Sequence, residues 1–239
     1  MLEKNLVIDH GMRNVFRVSG GDATEWLQRM LTADVNAVRD GRGAHGLMLD
    51  CLGKIQADLA VVGANGGYYL ALLGGDPELV ARHMKRLIVM EDVEVSLVSG
   101  RLLSFHGDAS HIAGHFENDG FSLVRFEIAE LFPEGAMLAF EMSPESVGSL
   151  LARTGLPVAD SETWETLRIE RGIPSLWTGF HQCGQSWPSR IASNCRKHDE
   201  GLLSWTRGRL QARDAWRAAR TDLSVEVRRY SNNRQCRLP

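Results

Sequence analysis

The chain has 239 residues, with 27 Lys and Arg against 30 Asp and Glu, 44% hydrophobic residues and four Cys. That length suffices for one large or two modest cores, and a formal net charge of −3 gives the whole chain no mark of a nucleic-acid or membrane partner. No apolar run approaches the roughly 20 residues of a membrane helix, and Met1-Leu2-Glu3-Lys4-Asn5 lacks the basic and apolar regions of a signal peptide, so the expected compartment is the cytoplasm.

Val15-Phe16-Arg17-Val18 alternates apolar and polar and runs into a turn at Ser19-Gly20-Gly21-Asp22, which predicts a strand. Asp22 stands where a helix cap is expected, and Ala23, Trp26, Leu27, Met30 and Leu31 fall on one helical face. Gly41-Arg42-Gly43-Ala44-His45-Gly46 is glycine-dense, but it lacks the Lys-Ser/Thr ending and strand-loop-helix context of a phosphate loop and reads as a turn. Gly46 to Asp50 and Ile55 to Val62 predict two strands joined at Cys51-Leu52-Gly53-Lys54, followed by a third at Tyr68 to Leu72. Asp76-Pro77-Glu78 opens a helix through Leu87, with Pro in its first turn.

Val93 to Val98 alternates as a further strand, and Leu102-Leu103-Ser104-Phe105 begins a second half with strands at Leu123 to Phe126 and Met137 to Met142. Ser143-Pro144-Glu145 starts a helix by the same cap-and-proline logic. A last helix runs from Ser161 or Glu162 to Arg171, stopped by Gly172 and Pro174. Antiparallel strands interleaved with helices define an α+β class. The expected units are an N-terminal domain over 1–100, an incomplete second domain over 101–174, and a tail over 175–239.

Chemistry-bearing residues are sparse. Of the eight His, only His111 and His115 have helical ligand spacing, and no third donor accompanies them, so no metal site is expected. The Cys lack a Cys-x-x-Cys pair, and no Gly-x-Ser-x-Gly elbow occurs.

At Pro174 the composition breaks. Residues 175–239 hold four of the six Trp, three of the four Cys, and eleven Arg against one Lys. Reading the back-translated tail one nucleotide later tests for a shifted frame, because Trp has a single codon. Trp177 and Trp205, each followed by Thr, then force Gly. The surrounding codons permit Gly-Arg-Asp-Phe after Pro174, and those of Glu200 to Arg207 permit Lys-Gly-Cys-Tyr-Leu-Gly-Gln-Glu. Taken literally instead, the tail is a basic segment in which Arg207 to Arg220 forms a cation-presenting helix for nucleic acid. The shifted reading is preferred, and under it the tail's charge carries no message and no nucleic-acid partner is expected.

With its frame restored, the octapeptide resembles the motif of the YgfZ-like folate-binding proteins, relatives of the glycine cleavage T-protein. Three more segments carry the likeness: Val18 to Val35 with its Gln28…Thr32…Asp34-Val35, the hairpin Gly53-Lys54-Ile55-Gln56-Ala57-Asp58-Leu59, and Trp164 to Pro174 with its Ile169-Glu170-Arg171-Gly172-Ile173-Pro174.

The resemblance implies an antiparallel T-protein-like scaffold lacking the family's C-terminal barrel, a tetrahydrofolate cofactor, and service to iron–sulfur proteins in cluster assembly or repair. It implies Trp164 and Glu170 as folate contacts, and puts Arg13 where the family can carry a second folate-contacting Trp. A carboxylate suits the adjacent N–H donors of a pterin and an indole supplies stacking area, although residues six apart lie about 240° apart on a helix. The motif's Cys falls at Leu202, so its thiol chemistry is lost. The alternative is an aminomethyltransferase of glycine cleavage. Such an enzyme is expected to carry an Asn-rich segment and a catalytic Asp after the third strand, where this chain has Ala71-Leu72-Leu73-Gly74-Gly75-Asp76.

Overall fold

A computed structural model describes residues 5–50, 53–107, 122–141, 143–159, 161–171 and 173. The tail, its aromatic and Cys residues, and the His111 and His115 pair lie outside the described residues.

The fold begins with a 14-residue strand, β1 (Leu6–Ser19), of which the expected Val15 to Val18 is only the end. Its first half escapes a period-2 reading because a bulge interrupts it. Gly11 adopts φ +76°, its N–H donates to Asp9 Oδ1 at 2.8 Å, and the register shifts between Asp9 and Met12. Helix α1 (Ala23–Met30) buries Ala23, Trp26, Leu27 and Met30 as its spacing requires. Asp22 does not cap it through its side chain. Its carboxylate accepts the N–H of Asp92 at 2.8 Å instead, tying α1 to a loop seventy residues away.

After a 3₁₀ turn (Val35–Ala37) come β2 (Gly41–Arg42), β3 (Ala44–Leu49), β4 (Ile55–Ala64) and β5 (Gly67–Gly75). The glycine-dense stretch expected as a turn is therefore β2 and the start of β3. Helix α2 (Pro77–Arg86) follows, with Asp76 Oδ1 accepting from the N–H of Glu78 and Leu79 as a cap. β6 (Glu94–His106) fuses the two strands expected at 93–98 and 102–105, so the boundary drawn at residue 100 falls inside a single strand. β7 (Ser122–Ile128), β8 (Phe132–Phe140), α3 (Pro144–Thr154), β9 (Val158–Ala159) and α4 (Ser161–Glu170) complete the described elements.

Among the described residues, the strands form one mixed sheet in the order β2-β7-β8-β6-β1-β5-β4-β3, with β9 parallel to β1 at Val7 and Ile8. The sheet curls until its ends meet. β2 pairs with β7, Asp40 bridges Gly63 of β4, and the Gly43 N–H donates to Glu127 O at 2.8 Å. A Cβ at Gly43 would lie 2.6 Å from Val61 O, so the closure needs a residue without a side chain there.

The alternation of β1 divides the core. Phe16 and Val18 join Trp26, Leu27, Leu59, Leu70 and Met84 beneath α1 and α2. Val15 joins Val62, Tyr69, Leu102, Phe126, Phe132 and Leu138 on the other side. Each such burial stabilises by about 1.5–3 kcal/mol.

Candidate functional site

The two strands that pair from end to end, β1 and β6, carry His10, Ser104 and His106, and α4 lies against them. His10 Nε2 is 2.8 Å from Ser104 Oγ, which is 2.9 Å from His106 Nε2. The hydroxyl has one proton and two lone pairs, so Ser104 donates to at most one of the imidazoles and accepts from at least one. Burial, reinforced by the nearby Arg13 and His106 charges, lowers the pKa of His10 to about 3. Burial and the charge of Arg171, partly opposed by Glu134, lower that of His106 to about 4. Both rings are neutral at physiological pH.

Trp164 sits on this chain. Its ring centroid is 4.9 Å from that of His10 in an edge contact, 5.6 Å from Phe132 at a 31° tilt, and 6.1 Å from His106. The indole is half-buried, with Phe132 against it. The end of α4 is fixed by Arg171, whose guanidinium pairs with both Glu134 oxygens at 2.8 and 3.3 Å. Arg168 is buried, ion-paired with Glu165 and donating to Ile173 O at 3.2 Å.

Arg13, opposite Gly100 on β6, is half-buried. Its Nε is buried without a hydrogen-bond partner among the described residues, and burial lowers its pKa. Arg13 and Trp164 thus both neighbour His10. Glu170 does not join them: it is the exposed last residue of α4, and the arginines beside it in sequence are engaged with Glu165 and Glu134.

A separate cleft of about 490 Å³ opens between the 3₁₀ turn, β3 and the β7–β8 connection, lined by Asp34, Arg42, His45, Glu127, Glu130 and Pro133 among others. Behind it His45 Nε2 meets the buried Asp58 Oδ1 at 2.5 Å. The sequence gives no signal for His10, Ser104 and His106 as a group, because only the pairings Ile8 with Ser104 and Leu6 with His106 bring them together. Among the described residues no three His, Cys, Asp or Glu side chains form a metal cluster, and no helix is long and apolar enough to cross a membrane.

The curled sheet with its flanking helices is an α+β scaffold of the T-protein type. Residues 2–108 match the family model described as the GCVT N-terminal domain. Among solved structures, the glycine cleavage system aminomethyltransferase T from Bartonella henselae shares the fold with a TM-score of 0.57 and 16% identity, over 70% of this chain and 51% of that one. The chain spans about half the length of that enzyme. A protein from Agrobacterium tumefaciens aligns at 11% identity and a TM-score of 0.34, over 66% of this chain and 94% of that one. No curated protein sequence matches.

Proposed function

We propose that this chain is built on a tetrahydrofolate-binding scaffold of the YgfZ kind, serving iron–sulfur proteins, and that residues 175–239 are translated out of frame. The observation that carries the folate reading is the placement of Trp164 and Arg13 around His10: an indole partly open to solvent and a guanidinium with a buried, unpartnered Nε. These fit a folate in kind. The indole offers stacking area, and Arg13 offers donors to a pterin carbonyl or to the glutamate carboxylates. His10, Ser104 and His106 are neutral and add no charge of their own beside Arg13.

Glu170 fits less directly. One ligand touching both Trp164 and Glu170 has to pass around the end of α4, where Arg171 is held by Glu134. Tetrahydrofolate, when bound, would supply one-carbon carrier chemistry, and the residues named here would hold and orient it.

Asp76 favours this reading over an aminomethyltransferase. Its carboxylate accepts from the Glu78 N–H at 2.9 Å and the Leu79 N–H at 3.4 Å, and so caps α2. Titration calorimetry with tetrahydrofolate tests the assignment on the 239-residue chain and on a frame-restored form. Binding is expected to be weak in the first, tighter in the second, and weakened there by Trp164→Phe or Arg13→Gln. Tight stoichiometric binding by the 239-residue chain would end the out-of-frame account, and absence of binding by the restored form would end the folate account.

A further inference from the structure

The loop between α2 and β6 is built to hold apolar side chains in water. Glu91 Oε2 accepts the N–H groups of Val89 and Met90 at 3.0 and 3.1 Å, and its Oε1 meets Arg29 Nη2 at 3.2 Å. Trp26 Nε1 donates to Leu87 O at 3.1 Å. Gly21 N–H donates to Asp92 Oδ2 at 3.0 Å while Asp92 N–H donates to Asp22 Oδ2 at 2.8 Å. Gly20, at φ +121°, leaves no room there, since a Cβ would lie 2.1 Å from Asp92 O. All these contacts fix the backbone, yet Val89 is 80% and Met90 93% exposed. A rigid apolar tip gains nothing from its own fold and loses little entropy on docking. Its approach is basic, through the exposed Arg82, Lys85 and Arg86 of α2.

The cleft beside the 3₁₀ turn has the opposite character. Ala33, Ala44 and Leu47 contribute an apolar floor, and the rim carries Asp34, Glu127 and Glu130 against Arg42. Its volume of about 490 Å³ exceeds what the Val89 and Met90 side chains need.

We propose that the Val89–Met90 tip of one copy docks into this cleft on a second copy, with the basic end of α2 against the acidic rim. The two surfaces differ, so the contact is head-to-tail and a pair keeps one free cleft, on the copy whose tip is docked, and one free tip, on the other. The small patch makes the association weak and concentration-dependent, and its charged part makes it weaken with salt. This inference is independent of folate binding.

Sedimentation velocity of the full chain over rising concentration is the test. A sedimentation coefficient that climbs with concentration is expected for the unaltered protein, with loss of the climb in Met90→Asp and, separately, in a Glu127→Lys/Glu130→Lys variant. Circular dichroism of each variant confirms that it is folded. Mixing the two variants is decisive: each retains one intact half, so the mixture should form a 1:1 dimer that grows no further. A monomer at every concentration, or association that neither variant reduces, would overturn the proposal. So would a tip that acts only on vesicles containing phosphatidylserine, losing that binding in Met90→Asp without any self-association.

Discussion

His10 and His106 share one serine hydroxyl in a buried setting, and that arrangement fixes how the protein responds to acid. Their folded pKa values, about 3 and about 4, lie below the 6.5 of an exposed imidazole. Between those limits the unfolded chain binds more protons than the folded one, so stability is complete above pH 6.5 and falls as the pH drops toward 4 and then 3. Each such group tilts stability by up to about 1.4 kcal/mol per pH unit. Asp9 adds to the same trend at lower pH: burial raises its pKa, but hydrogen bonds from Arg101 and the Gly11 N–H outweigh this and hold it below the usual value. Urea midpoints measured from pH 7 to pH 4.5 should therefore fall, and the fall should be shallower in His10→Asn. An unchanged midpoint would show that the imidazoles titrate as exposed groups. Trp164 allows packing and binding to be separated. Trp164→Ala should cost about 3 kcal/mol through lost contact with Phe132 and His10, whereas Trp164→Phe should retain most of that stability, measured by thermal unfolding, while still weakening the folate binding proposed for the frame-restored form.

Two aspartates that look alike in sequence do different work on their elements. Asp76 precedes Pro77 and caps α2 through two backbone N–H groups, so Asp76→Ala should cost about 0.5–2 kcal/mol in chemical unfolding. Asp22 precedes Ala23 yet holds the Asp92 N–H, so Asp22→Ala should leave α1 intact and instead speed hydrogen exchange at Asp92. Elements whose signals are local are legible in the sequence: the amphipathic face of α1, the proline-led starts of α2 and α3, and the β4–β5 pair. The rest depends on partners far along the chain. The first half of β1 reads as irregular because Asp9, His10, Gly11, Arg13 and Asn14 break the alternation, and it becomes a strand only by pairing with β6 on one side and β9 on the other. The site divides in the same way. Trp164 is reachable through its segment's resemblance, but its contacts with His10, His106 and Phe132 follow from strand register, which no single-sequence pattern encodes.

For the molecule as a whole, the continuity of the sheet decides how it unfolds. The order of predicted elements suggests units meeting at residue 100, yet β6 pairs with β1 on both sides of that point, from Leu6 with His106 to Ser19 with Glu94. β8 joins β6 over Gly100 to Ser104, and β7 joins β8. A break at 100 would strip Leu102 and Leu103, both fully buried, from the register that covers them, and would leave β1 without the edge that fixes its bulge. The curl adds a second tie, since the Gly43 N–H reaches Glu127 O across the seam. The described sheet is therefore expected to melt in one transition, with tryptophan fluorescence and far-ultraviolet circular dichroism giving the same midpoint, and residues 1–100 alone should not fold. Gly43→Ala tests the seam, because its Cβ meets Val61 O. It should lower stability by about 1–3 kcal/mol while keeping one transition. Two resolved transitions, or a folded 1–100 fragment, would mean that β6 serves two independent cores and that the pairing across residue 100 contributes little to cooperativity.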